Sequence, residues 1–245
     1  MVKVVEVLKA EDVPNKLIDG KPTLVYWDIV GLVQPLRLAL VYKGVDYVDV
    51  RIQAGPPSSP DCGAAWGGAK KGLYAIMPFP NLPYFMDDSV NISQTNTILH
   101  HIARKYDLMG GEGQEHMTDY FCDHLTDLEC QIIKSTYGES AAAVFDWYKT
   151  SVPGALKSFS SVLKDKIFLT GDVPSIADFK LYVFLYKLTV IQVDLGKPET
   201  AGILSDDLKA YMGRIEELPN VKEYIASAEY QKRPINNTMA HWIGD

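Results

Sequence analysis

Cysteine is scarce in this chain and poorly spaced for any shared task. Three residues, Cys62, Cys122 and Cys130, stand among 245. They form no CxxC pair and no even set from which a disulfide framework could be drawn. Five scattered histidines lack zinc-ligand spacing, which sets metal chemistry aside. No apolar run reaches the ~18 residues that span a bilayer. A net charge of −7 argues against broad electrostatic attraction to nucleic acid. The opening residues, Met1 to Lys21, mix Val with Glu, Asp and Lys. They lack the apolar core of a secretory leader and the Arg-rich bias of a transit peptide. The expectation is a cytoplasmic protein with no metal, no nucleic-acid partner and no membrane contact.

What is present is apolar surface. Apolar residues make up 47% and charged residues 22%, a globular composition with room for one large domain or two small ones. Residues 1–22 read as an N-terminal extension, although Val2 to Leu8 could form a short strand. Thr23-Leu24-Val25-Tyr26-Trp27 is β-branched and aromatic, so it predicts a buried strand. Gly31 breaks it. Pro35 suits a first helical turn, and Leu36, Leu40 and Val41 give that helix an apolar face ending at Gly44. Tyr47 to Ile52 predicts a second strand. The run from Ala54 to Pro60 is a loop. A hairpin over Pro80–Phe85 and Val90–Ile92 follows, turning at Asp87-Asp88. From Ser93 the period changes, and Ile98, Ile102 and Tyr106 share a helical face. The order β-α-β-loop-β-β-α over 23–106 is a thioredoxin-like unit.

Asp107 to Gly113 punctuates the chain as a linker. Residues 114–245 read as all-helical. Leu125, Leu128, Ile132 and Ile133 mark one helix, and Leu156, Phe159 and Leu163 another. Phe179 to Leu185 is apolar on most faces and should be buried. Ser175 and Asp178 have the spacing of a capping box, which points to a structural role at the start of that helix.

Several segments, in this order, resemble mu-class glutathione transferases. Tyr26 to Leu32 resembles the first strand and turn of that family. Asn81-Leu82-Pro83 resembles the segment that holds the glutathione backbone. Gln94-Thr95-Asn96 resembles the helix start that receives its γ-glutamyl end. Trp66 and Lys70 resemble the pair that meets its glycine carboxylate. Arg233-Pro234 and Met239-Ala240-x-Trp242 resemble the C-terminal tail. The resemblance covers roughly Thr23 to the end. It implies a glutathione transferase fold, with glutathione as co-substrate and a small hydrophobic electrophile as its partner in reaction.

The resemblance also assigns roles. Tyr26 is the expected catalytic group. A thiol with pKa near 8.5 is only about 3% ionised at pH 7. Lowering that pKa by about two units corresponds to about 2.7 kcal/mol, and a hydroxyl aimed at the sulfur can supply much of it. Trp27, Leu32, Trp66, Lys70, Asn81, Leu82, Pro83, Gln94 and Thr95 are expected around glutathione. The Leu82–Pro83 bond is expected to be cis. Asp127 is expected to reach the glutathione of a partner subunit, which implies a homodimer. Tyr137 and Ile29 are expected in the electrophile pocket.

The pattern is broken in places. Val30 and Gly63 stand where the family carries arginines, which leaves Lys70 as the main expected anchor of the glycine carboxylate. Glu129 and Cys130 replace larger or basic residues near the pocket. A glutathione-dependent isomerase or peroxidase would use the same thiolate. A non-catalytic carrier of hydrophobic ligands is the reading of a different class. A dithiol oxidoreductase is disfavoured, because no cysteine opens the first helix.

Overall fold

In the computed structural model, the described residues are 2–56, 59, 61–138, 141–196, 202–231 and 233–240. Five strands, β1 (Val2–Val7), β2 (Thr23–Trp27), β3 (Tyr47–Ile52), β4 (Tyr84–Met86) and β5 (Asn91–Ser93), form one sheet in the order β1-β3-β2-β4-β5. β3 runs parallel to both β1 and β2, whereas β4 is antiparallel to β2 and β5. Every residue of β3 is buried, as expected of a parallel strand with neighbours on both sides. α1 (Gln34–Tyr42) and α3 (Thr95–Tyr106) pack against one another and against the helical half of the chain.

Two features go beyond the order read from the sequence. The stretch between β3 and the hairpin is not all loop, because α2 (Ala64–Leu73) lies within it. The N-terminal segment is knitted into the same unit. β1 adds an edge strand beside β3, and a short 3-10 turn over Ala10–Asp12 packs on α2. A Cβ on Gly68 would stand 2.7 Å from Ala10 Cβ, so glycine permits that close approach. Tyr84 Oη donates to Pro14 O at 2.6 Å and ties the segment to β4.

The remaining helices are α4 (Glu115–Thr136), α5 (Ala141–Thr150), α6 (Val152–Leu163), α7 (Ile176–Leu195), α8 (Asp206–Glu216), α9 (Val221–Ala226) and α10 (Ala228–Gln231). α7 is buried over most of its length and packs against α1 and α4, which makes it the central helix. Its start carries the expected capping box. Asp178 accepts from Ser175 N–H and Oγ at 2.8 Å each, and also from Leu169 N–H and Tyr211 Oη. Among the described residues, no helix is long and apolar enough to cross a membrane.

Candidate active site

The site is built on the turn that follows β2. Tyr26 is the penultimate residue of the strand and is buried. After Trp27 the chain reverses through Gly31, whose φ is +41°. A Cβ there would lie 2.6 Å from Tyr26 Cε1 and 2.9 Å from its Oη. Only glycine lets the turn fold back this closely over the ring. The reversal aims Leu32 N–H at Tyr26 Oη, 3.3 Å away. The amide donates and the phenol oxygen accepts, so this contact leaves the phenol's own proton unused.

Two sets of contacts hold the turn. Arg37, wholly buried, grips both oxygens of Asp49 at 3.0 and 3.1 Å and donates to Ile29 O at 2.8 Å. Arg51 donates to the same carboxylate at 2.9 Å. Burial works to raise the Asp49 pKa, but the guanidiniums of Arg37 and Arg51 override it and hold the carboxyl below its ordinary range. From the other end of the chain, Val30 N–H donates to Pro234 O at 2.9 Å and Gly31 N–H to Ile235 O at 3.0 Å.

Burial is also the main reason the Tyr26 phenol titrates well above its ordinary value. The Leu32 amide and Arg37 work against the shift, while Tyr137 and Glu129 add to it. At neutral pH the hydroxyl is therefore protonated and can act as a donor. Tyr26 lines a cavity of about 220 Å³ whose walls also include Trp27, Ile29, Leu32, Ile133 and Tyr137. Tyr137 follows the last residue of α4, and its hydroxyl accepts from Asn237 N–H at 3.1 Å.

Pro83 and Gln94, among the other expected residues, lie along the same end of the sheet. Val25 pairs with Tyr84, and Tyr84 with Ser93. One step further along that row stand Tyr26, Pro83 and Gln94. The Leu82–Pro83 bond is cis, as expected. Leu82 and Pro83 are buried, and Asn81 is exposed. Gln94 has φ +77°, a region that costs a non-glycine residue about 1–3 kcal/mol and that recurs at ligand sites. Thr95 opens α3, whose first N–H groups are left without helical partners. Trp66 on α2 stacks on Tyr84 with ring centroids 6.3 Å apart, and Lys70 Nζ sits 5.9 Å from the Trp66 ring. Gly63 precedes α2 at φ +73°, a backbone that favours glycine over the family arginine. Asp127 is exposed on α4.

The structure thus gathers Tyr26, Trp27, Ile29, Leu32 and Tyr137 around one cavity. Trp66, Lys70, Asn81, Leu82, Pro83, Gln94, Thr95 and Asp127 do not line it. Sequence reasoning missed Lys187, Asn236 and Asn237, which do. A lysine inside the apolar run of α7 was a readable signal. The two asparagines had none, because the tail reaches the site only through tertiary pairing. Trp242 lies outside the described residues.

A thioredoxin-like unit joined to a helical one, with a tyrosine hydroxyl at the sheet's end, defines a class in which comparison is informative. Residues 22–104 match the family model for the glutathione S-transferase N-terminal domain, and 126–228 match the C-terminal one. A glutathione S-transferase of Tyrophagus putrescentiae is 37% identical over 92% of this chain and 98% of its own length. Human Glutathione S-transferase Mu 3 is 33% identical over 91% of this chain and 96% of its own. The solved Pi-class glutathione S-transferase of Onchocerca volvulus superposes with a TM-score of 0.73 at 27% identity, covering 90% of this chain and 99% of that one. The chain belongs to the glutathione S-transferase family, a family of enzymes.

Proposed function

We propose that this enzyme conjugates glutathione to small hydrophobic electrophiles, in the manner of detoxification, with Tyr26 holding the thiol as thiolate. The observation that carries the reading is the Tyr26 hydroxyl. It is buried, protonated at neutral pH, positioned by the Leu32 amide in a contact that leaves its own proton unused, and belongs to a residue that lines the cavity. A charge-assisted hydrogen bond from that proton to sulfur favours the thiolate. The γ-glutamyl carboxylate fits the open N-terminus of α3, with Gln94 and Thr95 beside it. Asn81, Leu82 and Pro83 then meet the cysteinyl backbone. Trp27, Trp66 and Lys70 meet the glycine end. Leu32 meets glutathione beside Tyr26, and the apolar walls formed by Ile29 and Ile133 receive the electrophile, with Tyr137 beside them. In this division 23–106 binds glutathione, 107–113 links, and 114–245 supplies most of the acceptor wall. No metal takes part, and the compartment is the cytoplasm.

The test is conjugation of 1-chloro-2,4-dinitrobenzene by wild type and Tyr26→Phe. A hydrogen bond to a charged group is worth about 1.5–3 kcal/mol, so kcat/KM should fall about 10- to 150-fold. The apparent pKa of the pH–rate profile should rise toward that of free thiol. Equal activity in the two proteins would remove Tyr26 from the mechanism. Exposed Asp127 is assigned to the glutathione of a second subunit, so sedimentation should give about twice the chain mass of 27.3 kDa. A monomer at working concentration would refute the shared site.

A further inference from the structure

Among the described residues that line the 220 Å³ cavity, Lys187 is the one charged side chain. It belongs to α7, and its side chain is only 4% exposed. The ammonium donates to Glu129 Oε1 at 3.1 Å, a contact that uses one of its three donors. The same carboxylate serves Lys180, at 3.7 Å. The other acceptors of Lys180 are neutral: Asn96 Oδ1 and Cys122 O at 2.8 Å, and Thr126 Oγ1. Two buried ammonium groups therefore share one buried carboxylate.

The rest of the lining is uncharged. Its polar groups are the hydroxyls of Tyr26 and Tyr137 and the amides of Asn236 and Asn237, and no carboxylate lines the cavity among the described residues. Ile29, Leu32, Ile132 and Ile133 are apolar. A second cavity of about 760 Å³ adjoins it and shares Trp27, Ile29, Asn236 and Asn237, but its wall carries Glu6 and Asp28. Asp28 there is already paired with Arg233 at 3.3 Å and lies 3.9 Å from Arg51, so Lys187 is what distinguishes the first cavity for an acidic ligand. Buried charge is costly unless it is matched, and an anion entering the first cavity would match it.

We propose that Lys187 is the specificity-determining residue of the acceptor pocket, selecting flat apolar ligands that carry a carboxylate. The assignment rests on the conjugation reading for its chemistry. The thiolate sulfur attacks a ring carbon bearing chlorine, the C–S bond forms, and the C–Cl bond breaks. Chloride leaves with the bonding pair, and the thiol proton has gone to solvent.

The test compares 4-chloro-3-nitrobenzoate with 4-chloro-3-nitrobenzamide, which differ by one charge and little in shape. The readout is the ratio of their kcat/KM values within each protein, so intrinsic reactivity cancels between proteins. Lys187→Met should lower the ratio about tenfold, and Lys187→Arg should keep it. Glu129→Gln, which frees the ammonium, should raise it. If Lys187→Met does not fold, Lys187→Met with Glu129→Gln removes both members of the pair and should show the same loss. A parallel titration compares binding of unreactive 3-nitrobenzoate and 3-nitrobenzamide and needs no turnover. A Lys187-dependent preference for the benzoate there, without conjugation of any probe, would sink the conjugation reading and uphold this one. A ratio unchanged within twofold in Lys187→Met, by rate and by binding, overturns the proposal even if neutral probes are conjugated well.

Discussion

Gly31→Ala puts the geometry of the turn to a severe test. The added methyl carbon would stand 2.6 Å from Tyr26 Cε1 and 2.9 Å from Tyr26 Oη, where carbon atoms normally approach to about 3.5–4.0 Å. The backbone at φ +41° adds about 1–2 kcal/mol for any L side chain. Overpacking of a tight site costs about 1–3 kcal/mol. The expected destabilisation is therefore about 2–5 kcal/mol, readable as a lower urea midpoint at constant slope. The ring cannot yield with its strand, because Val25 and Trp27 are paired to β3 on either side. Relief must come from rotating the ring or opening the turn, and either displaces the hydroxyl. A shift of about 1 Å in a positioned group can cost about 100-fold. Conjugation by the folded variant should thus fall at least about tenfold. Adding Gly31→Ala to Tyr26→Phe should cost much less activity, because the hydroxyl is already gone. A variant within about 0.5 kcal/mol of wild type and fully active would refute the claim that Gly31 sets the position of Tyr26.

Two further outcomes follow from buried charge. Asp49→Asn leaves the guanidiniums of Arg37 and Arg51 without their shared carboxylate, and should destabilise by about 3–5 kcal/mol in urea titration. Asp87 is buried and accepts from His101 at 2.7 Å, Lys105 at 2.9 Å and Ser89 N–H at 2.8 Å. Burial alone would raise its pKa, but His101, Lys105 and Ser89 outweigh that and hold it well below the ordinary value. A depressed folded-state pKa stabilises fully above the unfolded value of about 3.9 and is lost as pH falls below it. Unfolding free energy should therefore drop on acidification through that range. In Asp87→Asn this part of the acid limb should be missing.

Much of the frame was legible from local pattern. β2 and β3 run over the residues that their β-branched alternation marked, because strands buried between neighbours demand such side chains. The Ser175–Asp178 box announced α7 for the same local reason. α2 was hidden by its own composition. Gly67, Gly68 and Gly72 weaken helix propensity, and the helix is held by packing of Trp66 on Tyr84 and of Gly68 on Ala10. The N-terminal strand was ambiguous because its partner, β3, lies 45 residues away. At the site, Tyr26 and its turn could be read through resemblance. The pairing of Lys187 with Glu129 and the return of the tail to Val30 and Gly31 are long-range contacts that no local window contains.

That return has a consequence for how an active molecule is made. Val30 and Gly31 take their hydrogen-bond partners from Pro234 and Ile235, some 200 residues later in synthesis. At about 5–20 residues per second, the turn that positions the Tyr26 hydroxyl waits roughly 10–40 s for the segment that completes it. The sheet-bearing half is synthesised first, but the turn beside Tyr26 is completed only once Pro234 and Ile235 have been made. A chain cut short before Pro234 would keep the described strands and helices and still lack the clasp on the turn beside Tyr26.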